Sequence, residues 1–462
     1  MTTTARRKRF VSLRSLSLIL GLVAIWSCAI NTATGSLQFV LMSEGQEIAM
    51  GRDADPGIVS SMGLYPDEGL QQYLQQLGLE LAARSERPDL PWTFRVLDDP
   101  LINAFALPGG YIFVTRVIMA HLDSEAELAG VLGHEIGHVT ARHSVDQISR
   151  AQVAQLGLGV GMILVPELQQ FGGLASASLQ LLFLKFGRDD EHQADELGVR
   201  YMGRLGYDPA QLSGVMGMLG RVTAGGGGAG PPEWLSTHPN PVNREGSILE
   251  MARTAEVAAD PPRVEREEYI SRLDGLTFGD NPREGYFVGE RFYHPDMRFQ
   301  MSFPPGWQTA NTRQAVQALS PQEDAVFALT LGEGSEPGDA LRGFLAQEGV
   351  EGSGVSQSSV NGLPAASADF RFSNGQESLA GRIAFLSHGG ALFQLLSYGT
   401  PSAWDGHSAT VRSALSSFRP LSDATYLDVQ PARIRILTVG RATSLNDFLA
   451  GEGVQDRGDQ VR

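Results

Sequence analysis

The sequence predicts an α+β protein in two unlike parts: a mostly helical first part with a small sheet, then an antiparallel α+β part. Three observations carry this. Apolar residues recur at helical spacing through 122–138, and a second helical pattern runs through the acidic stretch 188–198. After Pro261-Pro262 the texture changes to short runs that alternate apolar and polar residues. The 462 residues suffice for two or three domains with ordinary cores. The expected divisions are 1–28 as a leader, 29–262 as the helical domain, 263–422 as the antiparallel α+β domain and 423–462 as a short tail.

The amino terminus reads as an export signal. Arg6-Arg7-Lys8-Arg9 precedes an apolar run from about Leu16 to Trp26, a basic segment followed by a short apolar one. The only cysteine, Cys28, follows at once in Ile25-Trp26-Ser27-Cys28. This resembles a lipobox, although Trp26 departs from the usual small residue. A lone cysteine in an exported protein makes no internal disulfide, so lipid attachment at Cys28 is expected. Cleavage further on and an uncleaved anchor are the alternatives, the latter with an apolar run short for a span.

Tyr111 to Val114 alternates within an apolar stretch and predicts a strand at the edge of a small sheet beside a cleft, with a plain core strand as the alternative. Leu122-Asp123-Ser124-Glu125-Ala126-Glu127 then reads as a helix start, with Ser124 as cap and Glu127 as its capping-box partner. Leu128, Val131 and Leu132 mark an apolar stripe leading into His134-Glu135-Ile136-Gly137-His138. Positions i and i+4 of a helix differ by about 40° around the axis, so both imidazoles can grip one ion. Zinc favours such nitrogen ligands, and the intervening Glu135 stands where it could take a proton from water. His143 lies five residues beyond His138. On a continued helix it points about 140° away, which favours a packing or hydrogen-bonding histidine over a ligand. Ala141 and Ser144 exclude the metzincin continuation H-E-x-x-H-x-x-G-x-x-H.

A third ligand is sought downstream. In Arg188-Asp189-Asp190-Glu191-His192-Gln193-Ala194-Asp195, Glu191 and Asp195 are again i and i+4. One carboxylate could complete a metal site while the other accepts a hydrogen bond from a ligand imidazole. An ordinary acidic helix face has the same spacing. His238, in Thr237-His238-Pro239-Asn240-Pro241, reads by turn chemistry alone as a turn residue.

Taken in order, five stretches resemble one family. They are Asn103-Ala104-Phe105-Ala106-Leu107-Pro108-Gly109-Gly110-Tyr111-Ile112-Phe113-Val114, H-E-I-G-H, Val139-Thr140-Ala141-Arg142-His143, E-H-Q-A-D, and Ser236-Thr237-His238-Pro239 with Arg244 six residues on. The chain from about 43 to 250 resembles the HtpX and CAAX prenyl-protein endopeptidase family of gluzincin zinc metallopeptidases, and most of all its soluble periplasmic, BepA-like branch. The resemblance implies a zincin-type metallopeptidase domain with one Zn2+ per chain, His134, His138 and Glu191 as zinc ligands, and Glu135 as general base. It implies Asp195 as the partner of a ligand histidine. His238 would lie over the metal as a reversible fourth ligand or a donor to the tetrahedral intermediate. Arg244 would stabilise developing charge or bind the substrate main chain. Asn103, Gly110, Tyr111, Ile112 and Phe113 would belong to the strand against which an extended peptide pairs. Val117 stands where the family usually carries Gly, so a local backbone adjustment is expected there.

Two functions are then open. One is a zinc endopeptidase clearing unfolded or misassembled envelope proteins from the bacterial periplasm. The other is a peptide-binding assembly factor whose zinc site is usually plugged. Outer-membrane assembly machinery or peptidoglycan are the further partners considered. A net charge of −16 argues against nucleic acid as a partner. Between Arg150 and Lys185 the only charged residue is Glu167, and Pro166 breaks the apolar run after about ten residues, too short to cross a bilayer. A buried helical hairpin is expected there, and the glycine run 225–230 before His238 is a flexible loop or lid.

In the second part, Phe299 to Phe303, Phe370 to Phe372, Ile383 to Leu386 and Leu392 to Leu396 read as antiparallel strands, with a helix near Ala409 to Phe418. No repeat of about 34 residues occurs, so the tetratricopeptide array found in the BepA-like branch is absent. Residues 433–449 weakly resemble the start of a LysM-like module.

Overall fold

The computed structural model describes residues 28–31, 33, 35, 37–158, 185–224, 234, 238, 241–375 and 378–451. The leader expected over 1–27, most of the expected hairpin before Lys185 and the glycine loop 225–230 lie outside the described residues.

The first part begins with a two-stranded ribbon, β1 (Cys28–Ile30) and β2 (Leu37–Phe39). Helices α1 (Glu44–Met62) and α2 (Glu68–Ala82) follow, capped by the side chains of Ser43 and Asp67. The small sheet comprises β3 (Thr93–Leu97), β4 (Ala104–Leu107) and β5 (Tyr111–Thr115), in the order β3-β5-β4. Here one expectation is corrected. Tyr111–Thr115 is the central strand, parallel to β3 and antiparallel to β4. All five of its residues are buried. Apolar alternation marks a strand but not its place in a sheet, and two-sided burial is what distinguishes a centre from an edge. The edge strand Ala104–Leu107 packs on the helix that carries H-E-x-x-H.

Helix α3 (Arg116–His121), capped by Thr115, contains Val117 in ordinary helical backbone, so the expected adjustment does not occur. Helix α4 (Glu125–Thr140) carries the H-E-x-x-H residues. Ser124 caps it by accepting from the Glu127 amide, while the Glu127 carboxylate accepts from Asp123 N–H, one position before the cap. Every residue of α4 is buried, so the expected stripe is a helix enclosed on all sides.

The chain reverses at Arg142 (φ 56°) into α5 (His143–Leu158). Helix α6 (Arg188–Leu205) returns against α4, followed by α7 (Gln211–Ala224), α8 (Pro241–Thr254) and α9 (Arg266–Arg272). Glycines set the closeness of α4 to α6. A Cβ on Gly137 would stand 3.0 Å from the Ala194 carbonyl oxygen, and one on Gly198 would stand 3.1 Å from the His134 nitrogen. The backbones touch because neither residue has a side chain.

The first core extends past residue 262. Tyr269, Leu273 and Leu276 are buried in it, and the Tyr269 hydroxyl donates to the Met119 carbonyl. In the tail, Ile434 also packs on this core, with its N–H bonded to Leu276 O.

The second part holds two antiparallel sheets. One is β6 (Tyr286–Val288), β7 (Arg291–His294) and β8 (Phe299–Ser302), joined by a short strand at Arg419–Pro420. The other has seven strands in the order β12-β13-β14-β15-β11-β10-β9. These are β9 (Gln308–Asn311), β10 (Ala315–Leu319), β11 (Ala325–Leu331), β12 (Val350–Val360), β13 (Leu363–Ser373), β14 (Ser378–His388) and β15 (Ala391–Gly399). Gly389 and Gly390, both at positive φ, form the two-residue turn between β14 and β15. Helix α10 (Pro337–Leu345) covers one end of this sheet. Helix α11 (Pro401–Ser416) starts eight residues before the expected Ala409, because Pro401 is accommodated at its first turn. Among the described residues no helix is long and apolar enough to cross a membrane.

Candidate metal centre

Four residues converge at the interface of α4 and α6. His134, His138, Glu191 and His238 each offer one ligand atom, and these atoms lie within 4.8 Å of one another. All four residues are at most 2% exposed. The Nε2 atoms of His134 and His138 are 3.0 Å apart. Glu191 lies across from them, with Oε1 at 3.5 Å from His138 Nε2 and Oε2 at 3.8 Å from His134 Nε2. His238 Nδ1 is 2.8 Å from Glu191 Oε1 and 3.4 Å from His134 Nε2. The choice left open between the two carboxylates of α6 is decided by position: Glu191 faces the imidazole cluster, and Asp195 lies behind it.

Asp195 Oδ1 is 3.0 Å from His134 Nδ1, the nitrogen turned away from the cluster. Arg244 clamps both carboxylates. Its Nε and Nη2 donate to Asp195 at 2.8 and 2.6 Å, and Nη1 donates to Glu191. Its guanidinium also lies 5.1 Å from the Trp234 ring centre, so it is turned into the carboxylates and the indole. This geometry makes Arg244 a positioning group for Asp195 and Glu191. An arginine six residues past a histidine gives no sign of this, since the contact joins α8 to α6.

Burial alone would raise the Asp195 carboxyl, but the His134 hydrogen bond and the Arg244 charge hold it at about 2. Glu191, likewise opposed by burial, is held below its ordinary value by His238 and Arg244. His138 is pushed well below 6.5 by burial and by its histidine neighbours, so it is neutral and has a lone pair to offer. His238 moves the other way: the Glu191 and Glu135 carboxylates outweigh burial and raise it.

Glu135 is 1% exposed, and among the described residues neither carboxylate oxygen has a hydrogen-bond partner. His238 Nε2 lies 3.7 Å from Glu135 Oε1. Burying two unsatisfied carboxylate oxygens is costly unless something else occupies the space they face. Two neutral-capable imidazoles, a carboxylate and this orphaned acid are a donor set that fits zinc and water.

The surroundings contain residues that no motif disclosed. The Trp234 ring stacks on His238 at 4.6 Å, and the Trp234 backbone N–H donates to Ile102 O. Phe186 lies 4.0 Å from the His138 ring. At the far end of α4, Glu47 is fully buried and bonded to both Arg87 and Arg142, while Arg87 also donates to the Val139 carbonyl. This ties the last turn of the metal helix to α1. Of the residues expected along the substrate strand, Ile112 and Phe113 are fully buried in the sheet, and Gly110 and Tyr111 are buried at its start. Asn103 precedes the edge strand Ala104–Leu107, and its buried side-chain oxygen has no hydrogen-bond partner among the described residues.

The arrangement has relatives. Residues 68–252 match Peptidase family M48. The chain is 31% identical over 223 residues to the beta-barrel assembly-enhancing protease of Escherichia coli K12, covering 46% of this chain and 44% of that one. It is 32% identical over 250 residues to the protein of that name from Yersinia pestis, covering 52% and 49%. It is 34% identical over 193 residues to the mitochondrial metalloendopeptidase OMA1 of Arabidopsis thaliana, covering 42% and 38%. The matches thus span about half or less of these relatives' length. The stretch that matches Peptidase family M48, residues 68–252, contains the whole His-His-Glu-His cluster.

Proposed function

We propose that the chain is a zinc-dependent metalloendopeptidase that hydrolyses peptide bonds in unfolded or misassembled cell-envelope proteins. The observation that carries this reading is the buried His134, His138 and Glu191 triad with the unpartnered Glu135 carboxylate beside it. His134, His138 and Glu191 would hold the zinc. When bound, zinc polarises a carbonyl and lowers the pKa of water. Glu135 accepts a proton from the attacking water and passes it to the leaving amine as the C–N bond breaks. Asp195 keeps the His134 proton on Nδ1, leaving Nε2 free to ligate. Arg244 holds both carboxylates in register. An extended peptide would pair with the edge strand Ala104–Leu107, which favours unfolded chains.

The names of the relatives support work on envelope or membrane proteins. Export through the 1–28 leader, with lipid at Cys28, would place the enzyme in the periplasm and at a membrane. Casein cleavage that is lost with a chelator and restored by zinc tests the reading. Equal cleavage by Glu135→Gln would overturn it.

A second reading concerns when the site is open. His238 sits inside the ligand cluster, 2.8 Å from Glu191 and 1% exposed, which supports a plugged resting state. In that case His238→Ala cleaves faster than the unaltered chain. Release from membranes on Cys28→Ala would support the lipid anchor, and unchanged partitioning would refute it.

A further inference from the structure

We infer that His143 is a positioning residue for the metal ligand His138, fixing by hydrogen bonding which of its nitrogens is free to bind zinc. The inference rests on the zinc site proposed above.

Reversal of the chain at Arg142 is what brings His143 into range. On a continued helix it would point away, but the left-handed residue folds α5 back. His143 Nδ1 then lies 2.9 Å from His138 Nδ1, with the ring centres 5.0 Å apart and the planes at 76°. His138 turns Nε2 toward His134 and Glu191. A neutral imidazole that ligates through Nε2 carries its proton on Nδ1, and that proton needs an acceptor. His143 Nδ1 is the acceptor in place. It can accept only as the tautomer with its proton on Nε2, and that nitrogen faces two acceptors: Gln193 Oε1 at 3.3 Å and Asp190 Oδ1 at 3.8 Å. Every donor in the chain from His138 through His143 to Gln193 thus meets an acceptor in one direction only.

The two ligand histidines are therefore supported differently. His134 leans on an anion, Asp195, and His138 on a neutral ring whose far side is held by α6. His143 is 2% exposed, so water does not replace it. The E-H-Q-A-D stretch contributes on both sides of the site: Glu191 to the cluster, Asp195 to His134, and Gln193 to His143.

The test compares two replacements of similar bulk. An asparagine in place of His143 would present an oxygen near the position of Nδ1, whereas leucine fills the space without an acceptor. Zinc affinity is measured by chelator competition, with folding checked by circular dichroism and ligand geometry by the absorption of the cobalt-substituted protein. His143→Leu is expected to weaken zinc binding about 10–100-fold and to alter the cobalt spectrum, with His143→Asn close to the unaltered chain. Gln193→Leu, one step further out, is expected to weaken binding several-fold and serves if His143→Leu does not fold. Equal affinity in all the chains, or equal loss in the leucine and asparagine variants, would overturn the inference. Failure of the unaltered chain to bind zinc would overturn the metal-site reading itself, and this inference with it.

Discussion

In the helical part, Glu47, Asp98, Arg116, His134, Glu135, Glu191, Asp195 and Arg244 are all buried. In the sheet part, from Tyr286 to Pro420, the buried polar residues among those described are Ser320 and Ser397. The sheet part instead stacks aromatic rings: Phe299 lies 4.9 Å from both Phe393 and Phe418. The helical part thus adds directed pairs of charges to its apolar core, whereas the core of the sheet part is apolar contact. Buried ion pairs gain little net stability over well-packed apolar residues, yet breaking one is costly. On the proposed function their use in the helical part would have a reason in chemistry: a fixed electrostatic surrounding would keep the ligands and the base in one geometry before substrate arrives. Among the described residues the sheet part buries no such pair of charges.

The two parts meet at a charge. Asp98 at the end of β3 binds Arg116 at 2.7 Å and Arg313 of the sheet part at 2.9 Å, and the Arg313 guanidinium lies where a Cβ on Gly63 would stand.

The contrast can be broken most severely at the base. Glu135→Gln should lower cleavage of casein by at least about 10²-fold while zinc content, read by atomic absorption, is retained. A protein that loses zinc as well would show that Glu135 is structural. The next comparison sets one residue of each core against the other. Glu47→Ala strands two arginines and should cost roughly 3–5 kcal/mol in denaturant unfolding, and it should weaken zinc binding because Arg87 and Arg142 hold the end of α4. Phe327→Ala should cost a similar ~3–5 kcal/mol through the cavity left behind, with zinc affinity unchanged. Equal effects of both on zinc would show that the cores are not separable.

A smaller effect distinguishes the parts by pH. Burial pushes the His294 imidazole of β7 down to about 4 from 6.5. Its folded pKa is depressed, so its contribution is fully present above pH 6.5 and is lost as pH falls through about 4. Acid should therefore destabilise the sheet part by roughly 3 kcal/mol over this window. His294→Asn should flatten that part of the pH profile. Last, Arg313→Ala should cost only about 1 kcal/mol, since the pair is part-exposed and Asp98 keeps Arg116. A larger loss would mean that the parts fold as one.

The division into a helical and an antiparallel part was legible because periodicity is local: a helix shows its 3.6 repeat and a strand its alternation within a few residues. The same locality explains the errors. Tyr111–Thr115 reads as a strand either way, but centre or edge depends on β3 and β4. Helix α11 begins at Pro401, where alternation and helix signals overlap. The pairing of His134 with His138 was legible because four residues make about one turn. From spacing alone Glu191 and Asp195 were legible as a pair but not as separate roles, because roles depend on which side of α6 meets α4; only the family resemblance assigned them separately.

The sequence by itself determined the α+β character, the spacing that puts His134 and His138 on one helical face, and the acidic pair of α6. Only the tertiary structure decided that Glu191 faces the cluster and Asp195 supports it, that Arg244 clamps both, and that His143 turns back onto His138. Covalent spacing fixes what lies within a turn or two of chain. Contacts between residues far apart in the chain, such as Glu191 with His134, are set by how closely two helices pack, and here Gly137 and Gly198 set that distance.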